Sequence, residues 1–249
     1  MPDIKTLAVI PARLKSTRLD EKPLMKLAGR ELVLRVLDGV RGSGRVDMTV
    51  VAADDERVIS LVEREGGTAM MTPSDLPTGG DRVAWVARRV PSRFVINVQG
   101  DDPLVTASVI DPMIDALEED ESAGLVLLAK RIDREDEVKR DSIVKMVFDL
   151  EGNALYFSRS PVPFVRNPGT AQGEYYKHIG PYAWRRDTLL EFASWEQTPL
   201  ERAESLEMLR ILERGGRIKC VKTGIDSIEI DTPDDVEKFI HHINQRGGH

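Results

Sequence analysis

The feature that most constrains this chain is the alternation of short apolar runs with helix-periodic stripes through its first half. Thr6 to Ile10 (TLAVI) reads as a buried strand. Leu32, Val33, Val36, Leu37 and Val40 then recur at helical spacing, and Gly42 and Gly44 follow as a stop signal. Met48 to Ala53 (MTVVAA) is the next strand, and Val58, Ile59, Leu61 and Val62 form a helical stripe ending at Gly66-Gly67. Thr68 to Met71 (TAMM) is a short strand. Val83, Val86 and Val90 mark a helix, Phe94 to Val98 (FVINV) a buried strand, and Val109, Ile110, Met113, Ile114 and Leu117 the helix after it. Strands alternating with helices imply βαβ units, hence an α/β fold with a mainly parallel sheet covered on both faces. Ligands of such sheets sit at the carboxyl ends of strands. The loops after Ile10, Ala53 and Val98 are therefore where function is expected.

The second half changes style. GLVLLAK (Gly124 to Lys130) is a strand. Val144, Met146, Phe148 and Leu150 alternate with Lys145, Val147 and Asp149, Glu151-Gly152-Asn153 is a turn, and ALYFS follows. That is a hairpin, so the sheet is expected to be mixed. Leu200, Ala203, Leu206, Leu209 and Leu212 predict one helix closed by Gly215-Gly216. IEID (Ile228 to Asp231) predicts a last short strand, and Thr232-Pro233 opens a last helix, with Thr232 as cap and Pro233 at its first position.

Composition narrows the partners. A net charge of -7 over 249 residues argues against a nucleic-acid or membrane-surface binder, so any bound anion must be met by a local cationic cluster. One cysteine, Cys220, excludes an internal disulfide and reads as a structural thiol. The N-terminal apolar run is far too short for a signal peptide, and no stretch approaches the ~20 apolar residues of a membrane helix. A cytoplasmic protein is expected.

Four motifs fall where the fold rule wants them. Ile10 to Leu24 (IPARLKSTRLDEKPL) is a turn after a strand in which Arg13, Lys15, Arg18 and Lys22 outnumber Asp20 and Glu21, as a triphosphate requires; the alternative is a solvated basic loop. Val98 to Pro103 (VQGDDP) ends a strand in adjacent carboxylates suited to Mg²⁺, with Asp101 the better ligand and Asp102 equally able to cap a helix. In EIDTP (Glu229 to Pro233), Asp231 alone reads as a capping aspartate, but paired with Asp101 it supplies the far side of a metal site. PTGGDR (Pro77 to Arg82) is weak in isolation: Gly79 and Gly80 free the backbone, Asp81 can cap, and Arg82 can reach a phosphate or a base edge. There is no dinucleotide fingerprint, Walker A loop or nucleophile elbow. His241 and His242 read as a solvated pair. His178, in YYKHIGPY, reads as part of a pocket wall.

Taken in order, these motifs resemble the 3-deoxy-manno-octulosonate (Kdo) cytidylyltransferase family over roughly Leu7 to Phe239. IPARLKSTRLDEKPL, INVQGDDP, ALYFSRSPVPF, HIGPYAWR, TPLERAESLEMLR and IDTPDDVEKF carry the resemblance. It implies a Rossmann-like nucleotidyltransferase fold in one domain, 1–249, with about 130–225 forming a smaller sugar-binding and dimerisation subdomain. It also implies that Arg13 and Lys22 hold the phosphates of CTP, near Ala12, Lys15, Ser16 and Arg18. Ala53, Asp54, Gly79, Arg82 and Gln99 would frame the nucleoside, and Asp101 and Asp231 would bind Mg²⁺. Arg159, His178, Tyr182, Glu204 and Glu207 would line the pocket of an acidic 2-keto-3-deoxy sugar. The implied reaction transfers CMP to the anomeric hydroxyl and releases pyrophosphate, in a homodimer.

The departures leave the metal and phosphate positions themselves unchanged. Asp102 stands where the family reads Glu, and Pro73 to Gly80 lacks the family's Arg and His. Met208 replaces a Gln, and Glu229 adds a carboxylate beside Asp231. They point to an unchanged reaction on Kdo or a variant such as an amino-substituted octulosonate. The alternatives are a nucleotidyltransferase using another nucleotide, a glycosyltransferase of similar fold, and a non-catalytic nucleotide-binding module.

Overall fold

The TLAVI run extends to Ala12 as β1 (Thr6–Ala12) in the computed structural model, which describes residues 4–14, 19–167 and 174–246. A single 3₁₀ turn, Lys22–Leu24, follows. Then comes a ribbon the sequence did not announce: β2 (Lys26–Leu27) and β3 (Arg30–Glu31), antiparallel. Its two-residue loop places both Ala28 (φ 45°) and Gly29 (φ 81°) in the left-handed region, the twist that suits a tight hairpin. Next are α1 (Leu32–Arg41), β4 (Met48–Ala53), α2 (Glu56–Arg64), β5 (Thr68–Met71), α3 (Gly79–Arg89) and β6 (Phe94–Asn97). These belong to a first compact unit, Met1–Asp111 with Ser227–His249. Its strands are parallel in the order β6-β1-β4-β5. Leu7 to Ile10, Val50 to Ala53 and Phe94 to Ile96 are fully buried. The stripes expected on α1 and α2 are the faces that cover them: Leu32, Val33, Val36, Leu37 and Val40, then Val58, Ile59, Leu61 and Val62. Each large side chain removed from water there contributes roughly 1.5–3 kcal/mol before entropy is counted.

α4 (Ala107–Glu119) contains Pro112, the residue at which the second unit, Pro112–Asp226, begins. That unit holds β7 (Ala123–Arg131), α5 (Glu135–Lys139), β8 (Lys145–Phe148), β9 (Ala154–Ser158), β10 (Tyr176–Arg185), α6 (Arg186–Phe192), α7 (Pro199–Glu204), α8 (Met208–Glu213) and β11 (Arg217–Thr223). β8 and β9 form the expected antiparallel hairpin. β10 pairs antiparallel with both β7 and β8, and β11 parallel with β7. The expected mixed, mainly parallel α/β sheet therefore holds. The segment of about 130–225, expected as a subdomain, lies inside this unit. α9 (Pro233–Arg246) returns the chain to the first unit.

Three local expectations are corrected. Ile228 to Asp231 forms no strand and pairs with none among the described residues. The helix expected over Leu200 to Leu212 is two helices, α7 and α8, separated by Ser205 in the left-handed conformation (φ 53°). Tyr176 to Tyr182 of YYKHIGPY lie in the long strand β10, whose register shifts between Ile179 and Tyr182, a placement the sequence leaves open. On β8 alternation holds at Met146, which is buried, but fails at Lys145, which is fully buried as well, and Leu150 beyond the strand is exposed. The Lys145 ammonium donates to the carbonyls of Arg140 and Ile143, each at 2.7 Å, and to that of Arg159. Burial lowers its pKa, opposed by the charges of Asp141 and Glu204.

Cys220 on β11 is buried, and burial pushes its thiol up to about 12, as suits a structural cysteine. No helix among the described residues is long and apolar enough to cross a membrane.

Candidate active site

In the first unit, parallel pairing sets the ends of β1 and β4 side by side, with Ala12 opposite Ala53, both buried. Gly100, just beyond β6, lies against the end of β1. A Cβ at position 100 would sit 2.3 Å from the carbonyl oxygen of Pro11, so only glycine allows this approach. Asp101 and Asp102 follow immediately, and Gln99 accepts from the N–H of Asp102 through its carbonyl at 3.2 Å.

The two neighbouring aspartates do different work. Asp102 is buried. Its carboxylate accepts from the Ser227 hydroxyl at 2.7 Å and from the Leu104 N–H at 3.0 Å. Burial raises its pKa, partly offset by the Ser227 hydrogen bond. Asp102 thereby anchors the segment that brings in Asp231. Asp101 holds the same segment through its backbone, accepting from Ile230 N–H at 2.9 Å. Its side chain and that of Asp231 stay partly open to solvent and converge on one cation. Lys22 Nζ lies 2.8 Å from Asp101 Oδ2 and 2.9 Å from Asp231 Oδ1, which puts the two carboxylate oxygens within about 6 Å of each other. Burial works against the charged ammonium, but the charges and hydrogen bonds of Asp101 and Asp231 outweigh it, and the Lys22 pKa is raised.

Asp231 is positioned from its other side by α9. Asp235 accepts from the backbone N–H groups of Asp231 and Thr232 at 3.3 and 2.9 Å, and from the Thr232 hydroxyl at 2.7 Å. Thr232 thus stands at the helix start, but the carboxylate satisfying these donors is that of Asp235. Glu229 keeps an exposed flank, yet its carboxyl is crowded enough that burial, then the charges of Asp101, Asp102 and Asp231, push it up to about 7 against the pull of Lys22.

The remaining first-unit residues form a second cluster. Asp54, after β4, accepts from Leu14 N–H at 2.9 Å and from the Arg82 guanidinium at 3.2 Å. Both side chains of this pair are buried. Arg82 also donates to Thr72 Oγ1, which in turn donates to the Ala53 carbonyl at 2.8 Å. Burial lowers the Arg82 pKa, opposed by Asp54 and reinforced by Arg13. Arg82 therefore ties the ends of β4 and β5 to α3 and is itself out of solvent. Arg13 is exposed and donates to the carbonyls of Leu76 and Pro77, the latter at 3.1 Å, steadying the stretch before α3. At the start of that helix Thr78 and Asp81 cap each other reciprocally, and Gly79 is its first residue, against Pro11. Lys15, Ser16 and Arg18 lie outside the described residues.

In the second unit, Glu204 and Arg159 are one assembly. The Glu204 carboxylate accepts from Ser158 Oγ at 2.7 Å and from Arg159 N–H at 2.9 Å. The Arg159 guanidinium donates to the carbonyls of Glu204, Asp141 and Ser205 at 2.7, 2.9 and 3.3 Å. His178 stacks edge-on with Tyr182, ring centres 5.0 Å apart, and with Phe157 at 6.5 Å. Its Nδ1 is buried with no hydrogen-bond partner among the described residues, and burial lowers its pKa to about 4. Glu207 precedes α8, half-buried. Ser227, Thr72 and Lys145 are structural partners the sequence did not single out.

The donor set limits what the first site can hold. Two carboxylates are hard oxygen ligands, and among the described residues no cluster of three or more His, Cys, Asp or Glu is arranged for a metal. That suits a cation completed by oxygens from its substrate and from water, rather than a fully protein-caged ion.

Among known proteins, the family model described as cytidylyltransferase matches residues 7–220. The 3-deoxy-manno-octulosonate cytidylyltransferase of Geotalea daltonii is 42% identical, covering 98% of this chain and 100% of its own. That of Geobacter sulfurreducens is 43% identical over 95% and 98%. Among solved structures, a CMP:2-keto-3-deoxy-manno-octonic acid synthetase complexed with CTP superposes with a TM-score of 0.92 at 35% identity, over 97% of this chain and 99% of that one.

Proposed function

The chain belongs to the 3-deoxy-manno-octulosonate cytidylyltransferase family, and we propose that it transfers CMP from CTP to the anomeric hydroxyl of Kdo with one Mg²⁺ held by Asp101 and Asp231. The observation that carries the metal assignment is the convergence of those two carboxylates on a single cationic atom, Lys22 Nζ. When bound, Mg²⁺ would neutralise phosphate oxygens and favour the deprotonated form of the attacking hydroxyl. The anomeric oxygen forms a bond to the α-phosphorus of CTP as the bond to pyrophosphate breaks in line, so the protein needs no covalent nucleophile. Its own residues supply positioning and charge. Lys22 and Arg13 carry positive charge to the triphosphate. Ala12, Ala53 and Gly100 keep the strand ends bare enough for a nucleoside to approach, and the buried Asp54–Arg82 pair fixes the frame around them. In the second unit, the Glu204–Arg159 assembly and the His178–Tyr182 pair are the groups for the sugar acid, with Glu207 beside α8.

The second unit also carries exposed apolar residues, Leu155 and Phe164, the latter 87% exposed. The homodimer is carried over from the family by analogy, and Leu155 on β9 and Phe164 are apolar groups that such an interface would cover. Sedimentation should find a dimer, and Leu155→Glu should shift it toward monomer.

The reaction is tested by pyrophosphate release from CTP, Mg²⁺ and Kdo, with an amino-substituted octulosonate as competitor. Asp101→Asn and Asp231→Asn are each expected to lower turnover by orders of magnitude with the fold intact. Near-normal turnover in either rules out the two-aspartate metal site.

A further inference from the structure

We propose that Lys22 is a built-in counter-cation that competes with divalent metal for the Asp101–Asp231 pair and sets how weakly the nucleotide-free protein takes up metal; this rests on the reading of those aspartates as the metal pair. Its ammonium lies 2.8 and 2.9 Å from one oxygen of each carboxylate, between them. A magnesium ion asks for oxygens at about 2.0–2.1 Å in near-octahedral geometry and gives up its waters reluctantly. It cannot share that position with an ammonium, so the lysine must leave first.

The geometry makes leaving a side-chain event. Lys22 opens the 3₁₀ turn between Glu21, in the left-handed conformation (φ 50°), and Pro23. The backbone around it is pinned by Leu24 N–H to the Glu21 carbonyl at 2.8 Å, Met25 N–H to the Lys22 carbonyl at 3.2 Å, and Leu32 N–H to the Met25 carbonyl at 2.9 Å. The flexible four-carbon stem can swing while the turn stays fixed. Charge sets the direction of the effect. Two carboxylates with the lysine carry one net negative charge; without it they carry two. The lysine side chain is only 12% exposed, against 28% and 32% for the carboxylates, so water screens the competition incompletely. Any ligand that draws the ammonium away strengthens metal uptake, and by reciprocity metal strengthens that ligand's binding.

The test is Mn²⁺ binding to the full chain without nucleotide, followed by the paramagnetic resonance of free Mn²⁺, with thermal unfolding run on every variant. Lys22→Met is expected to bind Mn²⁺ at least ten-fold more tightly than the parent, and adding Asp101→Asn should abolish the gain. Lys22→Gln, neutral but polar, carries the same expectation should the methionine variant fail to fold. Mn²⁺ affinity unchanged or weaker in the folded Lys22 variant, with Asp101→Asn lowering uptake, overturns the competing role and leaves the metal pair standing. Tightened binding that survives Asp101→Asn places the ion elsewhere, and sinks the metal-pair reading with it.

Discussion

The backbone N–H of Ile230 donates to the carbonyl of Asp101 at 2.9 Å, and this bond sets two aspartates 130 residues apart in sequence beside one another. The flanking bond from Ser227 to Asp102 fixes the same segment one step earlier. Adjacent carboxylates thus divide into one that holds the site together and one that faces its cation.

Asp102→Asn should therefore separate from Asp101→Asn. The amide can still accept from Ser227 or Leu104, so activity is expected to fall by less than ten-fold, against orders of magnitude at Asp101. Ser227→Ala leaves the buried carboxylate short of one donor. It should cost about 1–3 kcal/mol in denaturant unfolding and raise the metal concentration needed for half-maximal activity.

Gly100→Ala should damage binding and fold together. Its Cβ would be 2.3 Å from the Pro11 oxygen, so the strand ends must part. A loss of about 2–4 kcal/mol by thermal or denaturant unfolding, with a raised KM for CTP, is the expected outcome.

The buried Asp54–Arg82 pair gives a third prediction. Asp54→Asn strands a guanidinium that is only 1% exposed, at a cost of about 3–5 kcal/mol. Combining it with Arg82→Met should recover part of that loss, and a double-mutant cycle by denaturant unfolding measures the coupling.

His178 makes stability depend on pH. Its folded pKa, about 4, lies below the usual 6.5, so the folded state disfavours the proton that the unfolded chain accepts. Stability is full above about pH 6.5 and is lost as pH falls toward 4, by about 1–3 kcal/mol. Denaturant midpoints across that window should flatten in His178→Phe, whose ring keeps the contacts with Phe157 and Tyr182.

The legibility of the chain follows from what each residue's neighbours in sequence can report. The place of Asp101 just past a strand's carboxyl end was legible because a buried run, FVINV, ends shortly before it and chain direction in a parallel sheet fixes which end that is. The meeting of Asp231 with Asp101 was legible for a partly wrong reason: IEID has a strand's alternation, but one hydrogen bond to Asp101 replaces the ladder. Lys145 was invisible, since alternation assigns it to water while three carbonyls, two within five residues and one across the hairpin at Arg159, draw it inward. The split between α7 and α8 was invisible too, because a leucine stripe continues through the one left-handed residue, Ser205. Ser227 had no pattern to betray it; its role exists only because Asp102 is brought to it. Arg82 was expected to reach a ligand, and its motif gave no sign that Asp54 and Thr72 would enclose it.

Cys220 is walled into β11 with its thiol shifted far toward the protonated form. A sulfhydryl reagent in neutral buffer is therefore blind to the native molecule and reacts only when that strand opens. The chain carries its own stopwatch: the rate at which this one sulfur is labelled reports how often the second unit breathes.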